Sequence, residues 1–186
     1  MRKVIFAINI SLDGCCDHTK KFNPDEEVLE YFTQLTRDAD TFVYGRKTYE
    51  LMVPYWPDAA KNHSGDKAED DFADAFDAVS KIVVFSHSLD RADDEKTCIL
   101  RTDLRAEILK LKQEPGKNIS TGGVDIPSQL MELGLIDEYH FVVHPIIAGE
   151  GRRLFDAASR AELLQLKLVE SKVFKSGCVA LRYLKQ

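Results

Sequence analysis

Lys117-Asn-Ile-Ser-Thr-Gly-Gly-Val-Asp-Ile-Pro-Ser-Gln-Leu-Met-Glu-Leu-Gly-Leu-Ile-Asp-Glu-Tyr-His-Phe-Val-Val-His-Pro-Ile-Ile-Ala-Gly-Glu-Gly-Arg-Arg-Leu-Phe155 changes character several times along its length. A short run, Asn118 to Ser120, enters a Gly122-Gly123 turn. From Val124 to about Leu133 the spacing predicts a helix, with Ile126, Leu130 and Leu133 on one face. Gly134 then stands where a C-cap glycine is expected. Tyr139 to Ile147 reads as an apolar strand bounded by acids and glycines. Strand, Gly-Gly and helix in that order bring bare main chain up to whatever lies beyond the strand. Without a Cβ in the way an anion can reach the N–H groups, and the free N–H groups and dipole of the helix start favour a phosphate. A tight strand-to-helix turn with no ligand uses the same residue types.

Outward from this segment, the rest of the chain repeats its alternation. Lys3 to Ile10 is a nearly continuous apolar run rich in β-branched residues, as in a central strand buried on both faces. It ends in the turn Ser11-Leu12-Asp13-Gly14. Asn23-Pro24-Asp25 opens a helix, with Asn23 as N-cap, Pro24 in the first position and acids in the first turn. Thr41 to Tyr44 and Lys81 to Phe85 are further short buried strands, followed by Gly45-Arg46-Lys47-Thr48-Tyr49-Glu50 and by Ser86-His87-Ser88. Residues 58–71 are so polar that a mobile surface loop is expected, with a short helix over Phe72 to Val79. A strand around Thr97 to Leu100 and a helix from Leu104 to Lys112 lead back to the Gly-Gly turn. The tail, Leu164 to Val173 and Cys178 to Leu184, reads as two strands joined at Lys175-Ser176-Gly177.

Strands alternating with helices imply an α/β fold, with a mostly parallel central sheet, antiparallel C-terminal strands and flanking helices. Ligands of such sheets bind outside the carboxyl ends of the strands. Four polar turns fall there: Asp13-Gly14, Gly45 to Thr48, Ser86 to Ser88 and Thr121 to Gly123. The length of 186 residues fits one domain, 1–186. A net charge of −6 argues against general nucleic-acid binding, and no apolar run approaches the ~20 residues of a membrane span. The four cysteines, none in a Cys-x-x-Cys pair, suggest reduced thiols and a cytoplasmic home. Cys15-Cys16-Asp17-His18 and the pair His140 and His144 lack a zinc spacing, so no metal is expected.

Gly45-Arg46-Lys47-Thr48 supplies a guanidinium fork, a point charge and a capping hydroxyl at a strand end. A solvent-exposed helix start is the plainer reading; together with Gly122-Gly123 in an acidic protein, an extended anionic cofactor is the sharper one. Gly45-Arg46-Lys47-Thr48-Tyr49-Glu50 resembles the Gly-Arg-x-Thr-(Trp/Tyr)-Glu motif of dihydrofolate reductases, and Thr121-Gly122-Gly123 resembles the Gly-Gly turn of that fold. Ser11-Leu12-Asp13-Gly14, Gly134 to Glu138, Pro145-Ile146-Ile147, Gly149-x-Gly151 and Leu154-Phe155 resemble the C-terminal reductase domain of bifunctional riboflavin-biosynthesis (RibD) proteins. The resemblance spans nearly the whole chain in order.

The resemblance implies a dihydrofolate reductase-like fold and NADPH as cofactor. By it, Gly45, Arg46, Lys47 and Thr48 hold cofactor phosphates, and Thr121, Gly122, Gly123 and Val124 present the pyrophosphate turn. Ser86 and His87, with Arg101 nearby, lie towards the 2′-phosphate of the adenosine ribose. The chain departs from the riboflavin group where that group carries Glu before Gly-Gly, here Thr121. It departs again where the group carries a lysine in the first strand, here in the Phe6-Ala7-Ile8 region. On the substrate side, Asp13 is the candidate for hydrogen bonding to a ring N–H or relaying a proton through water, with ordinary Asp-Gly turn chemistry as the alternative. Glu27, among the first-turn acids Asp25 and Glu26, and Trp56, beside Tyr55, are the other substrate candidates, with dipole compensation and core packing as their plain roles. The implied activity is hydride transfer to a small planar heterocycle, either dihydrofolate- or pterin-like or resembling 5-amino-6-(5-phosphoribosylamino)uracil. The alternative is a non-catalytic nucleotide-binding module that kept the fold. The apolar strand Tyr139 to Ile147 needs cover, and related reductase domains often pair, so a homodimer is expected.

Overall fold

The computed structural model describes residues 1–17, 19, 22, 25–92, 94–154 and 163–186. One eight-stranded sheet runs through them. Its strands are β1 (Val4–Ser11), β2 (Ala39–Gly45), β3 (Lys81–Phe85), β4 (Thr97–Leu100), β5 (Asn118–Thr121), β6 (Glu138–His144), β7 (Leu166–Val173) and β8 (Val179–Lys185). The helices are α1 (Glu26–Arg37), α2 (Arg46–Met52), α3 (Trp56–Lys61), α4 (Lys67–Asp77), α5 (Leu104–Gln113) and α6 (Asp125–Glu132). Strand order is β4-β3-β2-β5-β1-β6-β8-β7. From β4 to β6 all pairs are parallel; β8 lies antiparallel to β6, and β7 antiparallel to β8. This is the expected α/β architecture of dihydrofolate reductase-like folds, with its parallel centre and antiparallel close.

Period-2 alternation divides the core between the two faces of the sheet. Val4 and Phe6 of β1, Val43, Val83, Ile119 and Tyr139 meet Leu104, Ile108 and Leu111 of α5 and Ile126, Leu130 and Met131 of α6. On the other face Phe42, Tyr44, Ile82 and Val84 meet Phe72 and Phe76 of α4, with Leu29 and Phe32 of α1 against them. A smaller cluster joins Val28 of α1 to Val142, Phe174, Cys178 and Ala180.

Several expected boundaries move. Asp25 caps α1, its carboxylate accepting the Val28 N–H at 2.8 Å; the expected cap Asn23, and Pro24, lie outside the described residues. The segment expected as a mobile loop, 58–71, is helical in α3 and the first part of α4, and only residues 62–66 between them form a loop. Asp66 caps α4 by accepting from the N–H groups of Ala68 and Glu69, and Phe72, Ala73, Ala75 and Phe76 are buried. The polar run is therefore the solvent face of amphipathic helix, and the single short helix expected over Phe72 to Val79 is its continuation. Strand β6 stops at His144 rather than Ile147, because Pro145 offers no N–H to a ladder. Gly134 adopts φ +67° just past α6, as a C-cap glycine does.

The register leaves an opening in the centre of the sheet. Strand β1 pairs with β5 only from Val4 to Phe6, yet pairs with β6 from Ile5 to Ser11. Beyond Phe6 the β5 side of β1 therefore has no strand beside it. Ala7, Ile8, Asn9 and Ile10 are only half-buried although β1 is central.

Candidate functional site

The expected turns do line one edge of the sheet, since β3, β2, β5 and β1 lie side by side and run the same way. Gly45 ends β2 and caps α2, where the side chains of Arg46 and Lys47 stand exposed. Arg46 Nη1 donates to both carboxylate oxygens of Glu50, at 3.0 and 3.1 Å, one helical turn on. Thr48 closes on the Gly-Gly turn: a Cβ on Gly123 would overlap Thr48 Oγ1, and Gly123 itself sits at φ +80°. Gly45 is tightly approached by Ile126 of α6, whose Cγ1 would lie 3.3 Å from a Cβ there. Two segments distant in sequence, 45–48 and 121–124, thus form one surface.

Within that surface the residues differ. The Thr121 side chain is buried and its hydroxyl donates to the Val43 carbonyl at 2.8 Å, tying β5 to β2. Gly122 has neither a left-handed φ nor a crowded neighbour; a Cβ there would meet Ala7 O and Tyr44 Cε1 only at 3.8 Å. Val124 stands half-buried at the start of α6, followed by Asp125, which is ion-paired with Arg152. Beyond β3, Ser86 is buried and its hydroxyl accepts from the N–H groups of Ser88 and Leu89, at 3.2 and 3.0 Å. His87 is exposed beside it, and Arg101 donates to the Leu89 carbonyl at 2.9 Å.

Asp13 fastens two loops together. Its Oδ1 accepts from the Ser11 hydroxyl at 2.5 Å and from Ala148 N at 3.0 Å, and its Oδ2 from Gly149 N at 3.0 Å. Arg153 Nη2 lies 3.3 Å from Oδ2. The Ser11 hydrogen bond, then that from Ala148, hold the carboxyl well below the usual carboxylate range. Around it Leu12 N donates to Ile146 O, Cys16 N to Arg152 O and Leu154 N to Gly14 O. Cys15 and Arg153 form an antiparallel bridge. The Gly149-x-Gly151 segment is part of this fastening and follows no dinucleotide-type strand–helix turn; Phe155, which completed the expected Leu-Phe motif, lies outside the described residues.

The other substrate candidates lie elsewhere. Glu27 accepts from Lys175 N at 2.9 Å, and that bond is the first cause of its lowered pKa; it anchors the turn between β7 and β8. The Trp56 ring packs on Phe72 of α4, with centroids 4.4 Å apart. A polar group that sequence reasoning passed over sits at the opening instead. Asn9 Oδ1 is 2.9 Å from His144 Nε2, and His144 Nδ1 is 3.4 Å from the Cys178 thiol. Burial pushes the pKa of His144 down, with the Asp25 charge opposing. Phe22 closes one side of the imidazole at 5.2 Å between centroids. His144 had been set aside as half of an implausible zinc pair; no signal in the sequence joins it to Asn9 and Cys178. Arg152 was also passed over, although its place directly after Gly149-x-Gly151 was visible.

The arrangement gathers cationic and bare main-chain groups at the ends of β2 and β5 and polar side chains at the end of β1. Exposed Arg46, paired with Glu50, and exposed Lys47 stand at the end of β2, His87 is exposed after β3, half-buried Arg152 pairs with Asp125 at the start of α6, and Asn9 and His144 lie at the end of β1 and β6. Among the described residues no helix is long and apolar enough to cross a membrane, and no group of three His, Cys, Asp or Glu side chains is placed to hold a metal.

Comparison with known proteins agrees with this geometry. The family profile described as RibD C-terminal domain matches residues 2–180. The chain is 31% identical over 187 residues to YyaP, an uncharacterized protein of Bacillus subtilis (strain 168), covering 98% of this chain and 94% of YyaP. A putative riboflavin biosynthesis protein from Shewanella sp. PV-4 superposes with a TM-score of 0.74 at 20% identity, over 100% of this chain and 99% of that one. A pyrimidine reductase-like protein from Corynebacterium diphtheriae gives a TM-score of 0.71 at 17% identity, over 100% and 92%.

Proposed function

This chain belongs to the RibD C-terminal domain family, and on that premise we propose that it is an NADPH-dependent reductase of a small planar heterocycle. The substrate class is pterin-like, or pyrimidine-like in the manner of 5-amino-6-(5-phosphoribosylamino)uracil. Gly122 carries the reading. Neither its φ nor its packing requires glycine, so the fold alone does not account for the missing Cβ. A dinucleotide phosphate approaching the main chain does account for it. In this reading Arg46, Lys47 and Thr48 hold phosphate from the β2 side, and Gly122, Gly123 and Val124 offer backbone from the β5 side. The Thr121 hydroxyl is engaged with Val43, so Thr121 acts by fixing the turn. Ser86 shapes the loop that presents His87 and Arg101 to a 2′-phosphate, which favours NADPH over NADH.

When bound, the nicotinamide supplies the hydride. The half-covered end of β1, Ala7 to Ile10, would be the surface that holds the ring. Asp13 stays ionised and saturated with donors, so it positions the loops, and water delivers the proton. The exposed Leu168, Val169 and Val173 on edge strand β7 offer cover to a second copy, which favours a homodimer. One domain in the cytoplasm completes the reading. The rival, a nucleotide-binding module without catalysis, draws on Ala7, where no cation faces the cleft.

Calorimetric titration with NADPH and NADH, on the wild type and Arg46→Ala, tests it. The expected result is NADPH about tenfold tighter than NADH and a similar loss in the variant, each ~1.4 kcal/mol. Binding of neither nucleotide overturns the proposal. Binding without NADPH oxidation on any dihydropterin or pyrimidinone favours the rival.

A further inference from the structure

The opening beside β1 presents one polar side chain whose orientation is fixed from behind. Asn9 lies on the same face as Ala7, one pleat further along, and Ala7 O is the atom that faces Gly122. It therefore stands ~7 Å past the point where the Gly-Gly turn meets β1. Asn9 is half-buried, and the one hydrogen bond of its side chain among the described residues is that to His144. The rest of the chain of contacts sets the polarity. The Cys178 thiol is buried, and a thiol facing His144 Nδ1 donates its proton there. A neutral imidazole accepting at Nδ1 carries its hydrogen on Nε2, and Nε2–H donates to Asn9 Oδ1. With its oxygen engaged by His144, Asn9 has its NH2 group left to donate.

We propose that Asn9 recognises the substrate through its side-chain NH2, selecting a carbonyl oxygen or unprotonated ring nitrogen, with His144 and Cys178 as positioning residues that fix the amide. The selection rests on the reading of this opening as the substrate end of a nucleotide-dependent reductase. It follows from a difference in partners: a donor at that place leaves an exocyclic amine unpaired and satisfies a carbonyl. Asp25, the charged group that acts on His144 from α1, is itself occupied by the Val28 N–H and Ser176. It leaves the amide as the group that reads the ring. Phe22 packs against the His144 imidazole and helps to hold it in place.

Long-range 1H–15N spectra of the full chain read the first step. His144 is expected as the Nε2–H tautomer at pH 7, and the Nδ1–H tautomer overturns the inference. The second step uses two pteridines of one shape and opposite polarity, 2,4-dioxopteridine and 2,4-diaminopteridine, titrated by fluorescence with NADP+ saturating. The dioxo compound should bind about tenfold tighter to the wild type. Asn9→Asp should reverse the preference, and His144→Phe should bring the ratio close to one, with NADP+ affinity unchanged in both. If Asn9→Asp fails to fold, the tautomer and the His144→Phe ratio decide. NADP+ binding with neither pteridine bound, or with a ratio that the variants do not move, overturns the role of Asn9 and leaves the cofactor reading standing. Failure of NADP+ itself to bind overturns that reading and this one with it.

Discussion

The two ends of the parallel sheet carry similar numbers of cations and use them in opposite ways. At the amino end Arg2 is buried, donating to Lys117 O at 2.6 Å, to Thr41 Oγ1 at 2.8 Å and to the Asp40 carboxylate. Lys112 is buried and paired with Asp137, whose Oδ2 also accepts Val4 N at 2.8 Å. Glu138 takes His140 Nε2 and Arg182 Nε on one oxygen and Lys3 on the other. At the carboxyl end Arg46 and Lys47 are exposed, next to Thr48 and the Gly-Gly turn on which it closes. A concavity of about 860 Å³ lies at the amino end, lined by Arg2, Lys112, Glu114 and Lys117 among others. Its size does not make it the site, because these groups already answer one another: Lys117 Nζ donates to Arg37 O and Glu114 faces Lys81. The buried pairs at the amino end are spent on the fold; Arg46, although paired with Glu50, and Lys47 face solvent beside the glycine turn, where the proposed function puts a ligand.

The comparison breaks if amino-end variants disturb binding. The largest expected effect is that of Asp137→Ala, which strands buried Lys112 and the Val4 N–H and should cost ~3 kcal/mol by urea unfolding. NADPH affinity of the folded fraction should stay within twofold; a matching loss of affinity would dissolve the distinction between the ends. Glu138→Gln comes next, at about 2 kcal/mol near neutral pH. The His140 hydrogen bond, reinforced by Arg182, holds the Glu138 carboxyl at about 2, below its ordinary 4.5. A depressed carboxyl stabilises the fold fully above pH 4.5, and that contribution drains away as pH falls towards 2. Wild type and variant should therefore converge in stability between those limits, and parallel curves would show that Glu138 is not the group responsible.

How much of this was legible follows the range of the interactions. Gly45 to Thr48 and Thr121 to Gly123 could be read because each turn carries its own chemistry within four residues. The parallel core was legible because buried strands are written as continuous apolar runs. Residues 58–71 were misjudged because composition reports the solvent face, while the buried Phe72 and Phe76 that anchor α4 stand past the polar run. Asp13 was visible as a turn acid, but the amides that saturate it come from Ala148 and Gly149, brought near by the β1–β6 pairing. Asn9, His144 and Cys178 are joined only through two ladders, β1 to β6 and β6 to β8, and no local pattern encodes that meeting.

The finest test of the comparison lies within one dipeptide. Gly123 and Gly122 are neighbours in sequence and serve different ends. At Gly123 the left-handed φ and the proximity of Thr48 both belong to the fold. Gly123→Ala should cost about 2 kcal/mol of stability and weaken NADPH as a consequence. At Gly122 an added methyl meets only ordinary contacts at 3.8 Å, so Gly122→Ala should leave stability within ~0.5 kcal/mol. On the proposed function its methyl would occupy the space through which phosphate reaches the main chain, so affinity for NADPH should fall about tenfold, ~1.4 kcal/mol. Measured together by thermal unfolding and calorimetry, the two variants separate fold from function at adjacent residues. Equal losses of stability would return both glycines to turn geometry, and unchanged affinity in Gly122→Ala would remove the observation on which the cofactor site rests.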